Sequence, residues 1–417
     1  MNLYRLELKR VCKTRMTAIL LAIALVLAVV MAYLPVTFIG WTELDASGNK
    51  VSYTGLKAIR KRQEQQVSGT ITPDVMQEAL EAYQRVYQQY DASSINDIPI
   101  EVFYKELARY QPLVNNAKEA FADPKTGMAP GVMGLTAEDM QNFYSQLPKR
   151  LESVIWLEQS GKPGYEQAQA IAQKKFDAVQ KPFTYSFGVS SDAMDYQTLL
   201  SLLLTLLCAV IAAPVFASDA QTGAQDIQLC TKNGGLRLAA AKLAAAFSIT
   251  GAAYLLCGVV WILVTNALFG WESTQTSVQW LFSVTSLLPY TVGQMEWVML
   301  VANFLIFFAE VAFVLMASVW AKNNLTALSV ALISVVAPLI VYMVVPGSFG
   351  EWLSTLIPAG GIGLSNALLY KMIGFDFLYA GGHAFFQADV LLASAPIKIV
   401  LLVGLAAWGY LRKTKVA

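Results

Sequence analysis

Residues 218–242 read SDAQTGAQDIQLCTKNGGLRLAAAK, a short polar segment between two long apolar stretches. An acid, Asp219, stands near its beginning, and the basic residues Lys232, Arg237 and Lys242 stand near its end. A polar segment in this position is typical of a loop that joins two membrane spans, and its basic residues favour the cytosolic side. We therefore predict that this loop lies in the cytosol.

The composition is that of a membrane protein with several spans. Of the 417 residues, 56% are hydrophobic and only 14% are charged, whereas soluble domains carry about 25% charged residues. Basic residues are not gathered into a domain with interleaved aromatic residues, so nucleic acid is not an expected partner. The four cysteines lack metal-ligand spacing, and we expect free thiols at Cys12, Cys208, Cys230 and Cys257.

Six apolar stretches are long enough to cross a bilayer about 30 Å thick as helices. The first apolar stretch is longer than the apolar core of a cleavable signal peptide, so we expect it to remain in the protein as the first span. The six spans are predicted at 16–39, 196–217, 243–269, 296–320, 325–345 and 395–411. Residues 1–15 have one apolar and one basic side at helical spacing, which favours an interfacial helix on the inner leaflet. The alternative is a plain positive-inside anchor for span 1.

Residues 40–195 are predicted to form a polar, mainly helical domain between spans 1 and 2. The stretch from Trp41 to Asp195 contains 36 of the 59 charged residues, and roughly 150 residues can build a core of their own. No strand alternation is evident, and the charges are interpreted as a solvated surface. Helices are indicated from Thr72-Pro73, over 102–121 with an interruption at Pro112, from a capping box at Thr136–Asp139 with a kink at Pro148, and over 164–179.

Residues 346–394, before span 6, contain a helix-like apolar stretch, Glu351–Ile373, broken by Pro358 and Gly360-Gly361. We interpret it as a re-entrant or interfacial hairpin covered by protein, because lipid leaves backbone polar groups without partners. The predicted fold class is thus an all-α polytopic membrane protein with six transmembrane helices in 16–39 and 196–417. The predicted fold also contains an N-terminal interfacial helix, a helical domain in 40–195 and re-entrant external helices in 346–394.

The basic residues outside the polar domain predict the orientation. With six spans and cytosolic termini, 12 of these 14 residues fall on the cytosolic side, in the groups Arg5–Arg15, Lys232–Lys242, Lys322 and Arg412–Lys415. Only Lys371 and Lys398 fall elsewhere, and Lys398 can snorkel from the end of a span. The positive-inside rule therefore predicts that both termini lie in the cytosol and that domain 40–195 is extracytoplasmic.

The sequence lacks the motifs of an enzyme. There is no GxxxxGK[ST] loop, because GGLRLAAAK lacks the second glycine and the Lys-Ser/Thr pair. The single histidine, His383, stands in a Gly-rich stretch without carboxylate or Cys neighbours, which favours a loop side chain over a metal ligand or base. We predict no catalytic site, no metal and no cofactor in this chain, and an intramembrane enzyme is disfavoured.

Three polar residues mark one face of span 4. Glu296, Asn303 and Glu310 are seven residues apart, so they share a helix face. A carboxylate near the middle of a span is costly unless it is protonated, paired or facing a wet cavity. Asn303 and Glu310 are therefore candidates for a translocation path or subunit interface. The alternative is one helix-packing hydrogen bond at Glu310, with Glu296 at the membrane surface.

Six spans, an interfacial N-terminal helix and a polar loop between spans 2 and 3 resemble the permease subunit of ABC-2-type ABC exporters. In such permeases this loop often shows an acid, a glycine, an apolar patch, a Ser/Thr, and then an Arg and a Lys. The matching residues in this sequence are Asp219, Gly223, Ile227, Leu229, Thr231, Arg237 and Lys242. The proline that often follows the Ser/Thr is absent, and Lys232–Gly235 stands there instead. The resemblance covers 1–40 and 196–417.

The resemblance implies that a separate ATP-binding subunit, in two copies, drives this chain. Those subunits would carry ATP and Mg and dock on a coupling helix near 219–230 of the loop 218–242. A second permease chain, identical or related, would complete the exporter in the bilayer. The cargo is left open among a peptide, an antimicrobial, a lipid-linked molecule and an ion. The alternatives are an ordinary connecting loop and a non-transporting receptor or immunity or sensor scaffold that acts through domain 40–195.

Overall fold

Six long apolar helices dominate the fold. The computed structural model describes residues 3–45, 47, 49–364 and 366–414, and it is 72% helical. Among the described residues, six helices are long and apolar enough to span a membrane: Arg15–Thr37, Ser191–Gln221, Leu236–Phe269, Val292–Trp320, Asn324–Val344 and Gln387–Lys413. Each overlaps one predicted span, so their number and approximate positions are confirmed. Lys415, which the sequence predicts among the cytosolic residues, lies outside the described residues.

Helices of very different lengths alternate along the chain with a few short strands. The helices are α1 (Leu3–Cys12), α2 (Arg15–Thr37), α3 (Leu56–Gln65), α4 (Pro73–Gln89), α5 (Ile100–Val102), α6 (Gln111–Ala120), α7 (Ala137–Gln141), α8 (Phe143–Gln159), α9 (Tyr165–Asp177), α10 (Ser191–Ala212), α11 (Pro214–Gln221), α12 (Ala224–Leu229), α13 (Leu236–Phe269), α14 (Val278–Leu281), α15 (Val292–Trp320), α16 (Asn324–Val344), α17 (Gly347–Leu356), α18 (Leu368–Ile373) and α19 (Gln387–Thr414). The strands are β1 (Gly40–Leu44), β2 (Lys50–Thr54), β3 (Gly69–Thr70), β4 (Thr184–Tyr185), β5 (Phe377–Ala380) and β6 (His383–Phe386).

The apolar bundle is built around α15. In the most apolar stretch of α15, two thirds of the residues are buried, whereas in that of α19 only 17% are buried. Gly258 lets α13 approach α15 closely, because a Cβ there would stand 2.3 Å from Cδ1 of Leu300. Tyr254 stacks on Phe307 with ring centroids 4.4 Å apart, which adds aromatic contact to the same interface. The outer helices leave their remaining apolar side chains on the surface, as expected for a protein solvated by lipid.

The helix-start signals of the polar domain are confirmed. The Thr72 side chain accepts a hydrogen bond from the Val75 amide at the start of α4, and Thr136 and Asp139 form the predicted capping box. The helix that begins after Thr136 is shorter than expected, because α7 ends at Gln141. A separate helix, α8, begins at Phe143 and contains Pro148. Pro112 opens α6 and does not interrupt a longer helix, since residues 103–110 form π and 3₁₀ turns.

The mainly helical character of the fold is confirmed, but it also contains short strands that the sequence does not indicate. Among the described residues there are three two-stranded antiparallel sheets, which pair β1 with β2, β3 with β4 and β5 with β6. Their strands are two to five residues long. Strand patterns are normally read over four to eight residues, so β3 and β4 are too short to show one and the other four strands are at the lower end of that range.

Of the predicted segment 346–394, the described residues before 387 contain two short helices and a hairpin, and residues 387–394 belong to α19. The predicted break is confirmed, since α17 ends at Leu356 and α18 begins only at Leu368. Lys398 of α19 donates to the carbonyls of Thr355 and Ile357 at 3.0 and 3.2 Å, which satisfies carbonyls that the end of α17 leaves free. The last span begins earlier than predicted, because α19 already starts at Gln387.

The polar domain is seated on one end of the bundle and shares its core. A continuous cluster of buried apolar residues runs from the domain into the spans. Gln63 donates to the Phe269 carbonyl at 2.6 Å, and Gln159 donates to the Phe375 carbonyl at 2.7 Å. Glu119 of α6 is also a contact with the bundle, accepting from the Ser283 hydroxyl at 2.5 Å and the Val284 amide at 3.3 Å.

The burial of Glu119 predicts a pH-dependent stability. Desolvation raises the pKa of this carboxyl, although its two hydrogen bonds and Arg150 oppose the rise. Because the folded state then holds the proton more tightly than the unfolded state, stability falls as pH rises from about 4.5 through the raised pKa. We expect Glu119→Gln to lose this fall in melting temperature, measured between pH 4 and 8 in detergent. The exposed Glu166 provides the control Glu166→Gln, and an identical pH profile for both variants would contradict the expectation.

Candidate functional site

The polar loop lies at the end of the bundle opposite the polar domain. α10 leaves the domain and α13 returns to it, where Gln63 bonds to the Phe269 carbonyl. Consequently α11, α12 and the start of α13 meet at the far end, and α1 packs there against α13. The helices α11 and α12 cover the region 219–230 in which the sequence predicts a short helix.

Asp219 is the hub of a buried ionic cluster at this end. Its side chain is 10% exposed and accepts from the Arg10 guanidinium of α1 at 2.9 and 3.0 Å. The ammonium of Lys242, whose side chain is 1% exposed, donates to Oδ2 of the same carboxylate. Glu7 completes the cluster by pairing with Arg10 at 2.9 Å. One carboxylate thus joins α1, α11 and α13.

The cluster is extended by hydrogen bonds that use its remaining donors. Arg10 also donates to the Val215 carbonyl at 3.0 Å, and Lys242 donates to the Gln228 side chain of α12 at 3.2 Å. With two acids and two cations the cluster is neutral as a whole. Burial of charges is tolerated only when such pairing and hydrogen bonding are nearly complete.

A second anchor holds the first turn of α11. Pro214 restarts the helix after α10, so the following amides lack intrahelical partners. The Ser318 hydroxyl of α15 accepts from the amides of Phe216 and Ala217, both at 3.1 Å, and donates to the Ala213 carbonyl at 2.6 Å. The junction between span 2 and the loop is therefore fixed to the central helix.

α12 presents one apolar side chain to the outside. It begins after Gly223, whose φ of 72° lies in the left-handed region that glycine adopts at low cost. Ile227 is 74% exposed, whereas Leu229 packs partly against the core. Of the predicted apolar patch, only Ile227 is therefore available to a partner in this chain alone.

The predicted polar residues after α12 stabilise the loop itself. The Thr231 hydroxyl donates to the Gln228 carbonyl at 2.8 Å, and Arg237 donates to the Asn233 side chain at 3.3 Å. Gly234 closes this turn so tightly that a Cβ would stand 1.7 Å from the Gln228 carbonyl oxygen. At the neighbouring Gly235 a Cβ would meet nothing closer than 4.0 Å.

The polar face of α15 is buried inside the bundle. Glu296 and Glu310 are fully buried and Asn303 is 3% exposed. Glu310 accepts from the Ser334 hydroxyl of α16 at 2.5 Å. Glu296 accepts from the Asn266 amide of α13 at 2.6 Å. These contacts favour helix packing for both carboxylates, and Glu296 is not exposed at a membrane surface.

Several members of the cluster cannot be identified from the sequence. Arg10 is marked there only as a positive-inside residue, and no pattern singles out Glu7 or Gln228. Arg10 and Asp219 are 209 positions apart, so no local signal connects them. The sequence does place an acid, Asp219, and a lysine, Lys242, at the edges of apolar stretches, where an unpaired charge is costly. That placement is the signal from which their pairing could be predicted.

Comparison with known proteins assigns this chain to no family. No family model, no curated protein and no solved structure matches this chain. Within the described ranges there is also no group of three or more His, Cys, Asp or Glu residues that could hold a metal ion. The site is therefore defined by its own geometry.

Replacing Asp219 tests the ionic cluster. Asp219→Asn leaves Lys242 buried without its anion, and breaking a buried pair from one side costs about 3 kcal/mol or more. We expect this loss in the free energy of unfolding, measured by SDS titration in mixed micelles. The exposed Asp226 of α12 provides the control Asp226→Asn, which should change stability by less than about 0.5 kcal/mol. Equal losses for the two variants would contradict the cluster.

Replacing Gly234 tests the turn after α12. Gly234→Ala places a methyl group against the Gln228 carbonyl, so the turn must open, whereas Gly235→Ala fits without a clash. We expect Gly234→Ala alone to accelerate alkylation of the exposed Cys230 thiol, followed by peptide-resolved mass spectrometry. Equal alkylation rates in the two variants and the wild type would show that the turn is not as tight as described.

Proposed function

We propose that this chain is the membrane-spanning permease subunit of an ABC exporter of the ABC-2 type, driven by a separate ATPase subunit that docks on α12. The observation that supports this proposal most is that Ile227 is exposed on the short helix α12. This helix follows α11, which Ser318 anchors, and Lys242 of α13 donates a hydrogen bond to its Gln228. An isoleucine left 74% exposed beyond the spans is suited to insertion into a groove of a partner protein.

The ionic cluster gives α12 a mechanical connection to the spans. Lys242 of α13 bonds to Gln228 of α12 and to Asp219 of α11 at once. Arg10 links the same carboxylate to α1. A displacement of α12 by an ATPase would therefore be passed to spans 2 and 3 and to the amphipathic N-terminal helix together. Such a connection is what a subunit that receives work from ATP hydrolysis requires.

The outer surface supports assembly with lipid and a second permease chain. α2, α16 and α19 leave much of their apolar surface uncovered in the single chain. Val301, Ile333 and Val400 are each more than 60% exposed. A second chain, identical or related, would cover part of this surface and the bilayer the rest. Under this proposal the loop end faces the cytosol of a bacterial cell and the polar domain lies outside its plasma membrane.

Substitution of Ile227 tests the docking of the ATPase. Burial of an isoleucine contributes about 1.5–3 kcal/mol, so Ile227→Asp should weaken association with the ATPase at least about tenfold. Because the side chain is exposed, the variant should fold normally. The measurement is copurification with an ATP-binding subunit produced in the same cells, together with ATP-driven transport. Ile227→Val is the control and should retain both.

Two results would contradict the proposal. One is wild-type association and coupled transport in Ile227→Asp, which would remove α12 as the contact. The other is the absence of any ATPase bound to the wild-type chain under conditions in which it remains monodisperse.

A further inference from the structure

A large groove lies where the polar domain meets the outer ends of two spans. It has a volume of about 880 Å³ and is formed by α9, residues 287–290, β6 and the first turns of α15 and α19. A second hollow of about 500 Å³ adjoins it and shares Pro289, Tyr290 and Val298. None of the carboxylates or cluster residues described above lines this groove.

The floor of the groove is apolar and continues along the spans. Leu287, Leu288 and Phe386 are buried beneath it, and Leu392 and Val298 carry it along α19 and α15. The adjoining hollow is more polar, since five of its nine lining residues are Gln, Ser or Thr, but it also contains Tyr290 and Trp297, which is 46% exposed. Tyrosine and tryptophan in this position are typical of the boundary between lipid and water. An acyl chain that enters the larger groove along α19 would therefore meet mainly apolar side chains.

The rim of the groove is basic. Lys174 and Lys175 stand in the last turn of α9 at its upper edge. Lys175 pairs with Asp389 at 3.0 Å and lies over the Phe386 ring at 4.4 Å. Lys174 is exposed and forms no ion pair with any residue that the structure describes. One positive charge is therefore left without compensation beside the apolar floor.

We propose that this groove binds one anionic phospholipid molecule, with its phosphate beside Lys174 and Lys175 and an acyl chain along Leu288 and Leu392. A neutral hydrophobic ligand would leave the lysines without a partner, and a small polar anion would leave the apolar floor exposed to water. The site does not depend on the proposed function, since lipid binding requires no ATPase. Asp389 competes with the phosphate for Lys175, so this carboxylate weakens the site.

The proposal is tested by native mass spectrometry of the full chain released from detergent micelles. The probes are phosphatidylglycerol and phosphatidylcholine with identical acyl chains. The wild type should retain one phosphatidylglycerol in preference to phosphatidylcholine. Each lysine near a membrane surface contributes about 1 kcal/mol toward an anionic lipid, so Lys174→Gln should lower phosphatidylglycerol affinity about fivefold and leave phosphatidylcholine unchanged. The control is Lys149→Gln, at an exposed lysine away from the groove.

Two further variants separate the headgroup from the chain. Asp389→Asn should raise phosphatidylglycerol affinity severalfold, because it frees Lys175 from its competitor. Ala393→Trp fills the groove from α19 and should abolish retention of both lipids. Val400→Trp is its control, because Val400 is 71% exposed on the same helix and does not line the groove.

Three results would overturn the proposal. Equal retention of the two lipids by the wild type would remove the headgroup preference. Unchanged phosphatidylglycerol retention in Ala393→Trp would place bound lipid elsewhere. Displacement of phosphatidylglycerol by glycerol phosphate alone would show that the site recognises a free phosphate and not an amphiphile.

Discussion

A buried carboxylate between two cations constrains one end of this protein. Asp219 stands at the end of the second span and must be neutralised there, because an unpaired charge at the edge of the apolar bundle would be costly. The chain supplies Arg10 from its N-terminal helix and Lys242 from the third span. These partners come from both sides of the polar domain in the sequence. The pairing therefore fixes how the first span, the loop and the third span are arranged.

The two ends of the bundle are stabilised by different physics. At the loop end, ion pairs and hydrogen bonds such as those of Ser318 and Gln228 act beside the apolar contacts of α11, whose Val215 and Phe216 are buried. At the other end, the polar domain shares an apolar core with the spans, and side chains such as Gln63 and Gln159 bond to backbone carbonyls.

Much of this architecture can be predicted from the sequence, because its signals are local. A membrane span is a long apolar run, and each of the six predicted runs overlaps a long apolar helix. The caps at Thr72 and Thr136 follow from side chains three residues from the amides they bind. The break before α18 follows from proline and glycine. The start of α19 is predicted too late, because Gln387 and Asp389 make its first turns resemble a loop.

The remaining features depend on residues that are distant in the chain. β3 and β4 have two residues each, too few for a pattern, and they pair across more than a hundred residues of sequence. The seven-residue spacing of Glu296 and Glu310 predicts a shared face, but not that Asn266 and Ser334 bury them. Asp219 and Lys242 are predicted as contacts of a partner, whereas within this chain they contact each other.

The most direct test of the ionic constraint is a double-mutant cycle. The free energy of unfolding is measured for the wild type, Asp219→Asn, Lys242→Met and the double variant in the same micelles. A direct buried pair predicts that the double variant is more stable than the sum of the single losses implies, with a coupling of at least about 2 kcal/mol. Additive losses, with a coupling near zero, would contradict the interaction on which this end of the structure depends.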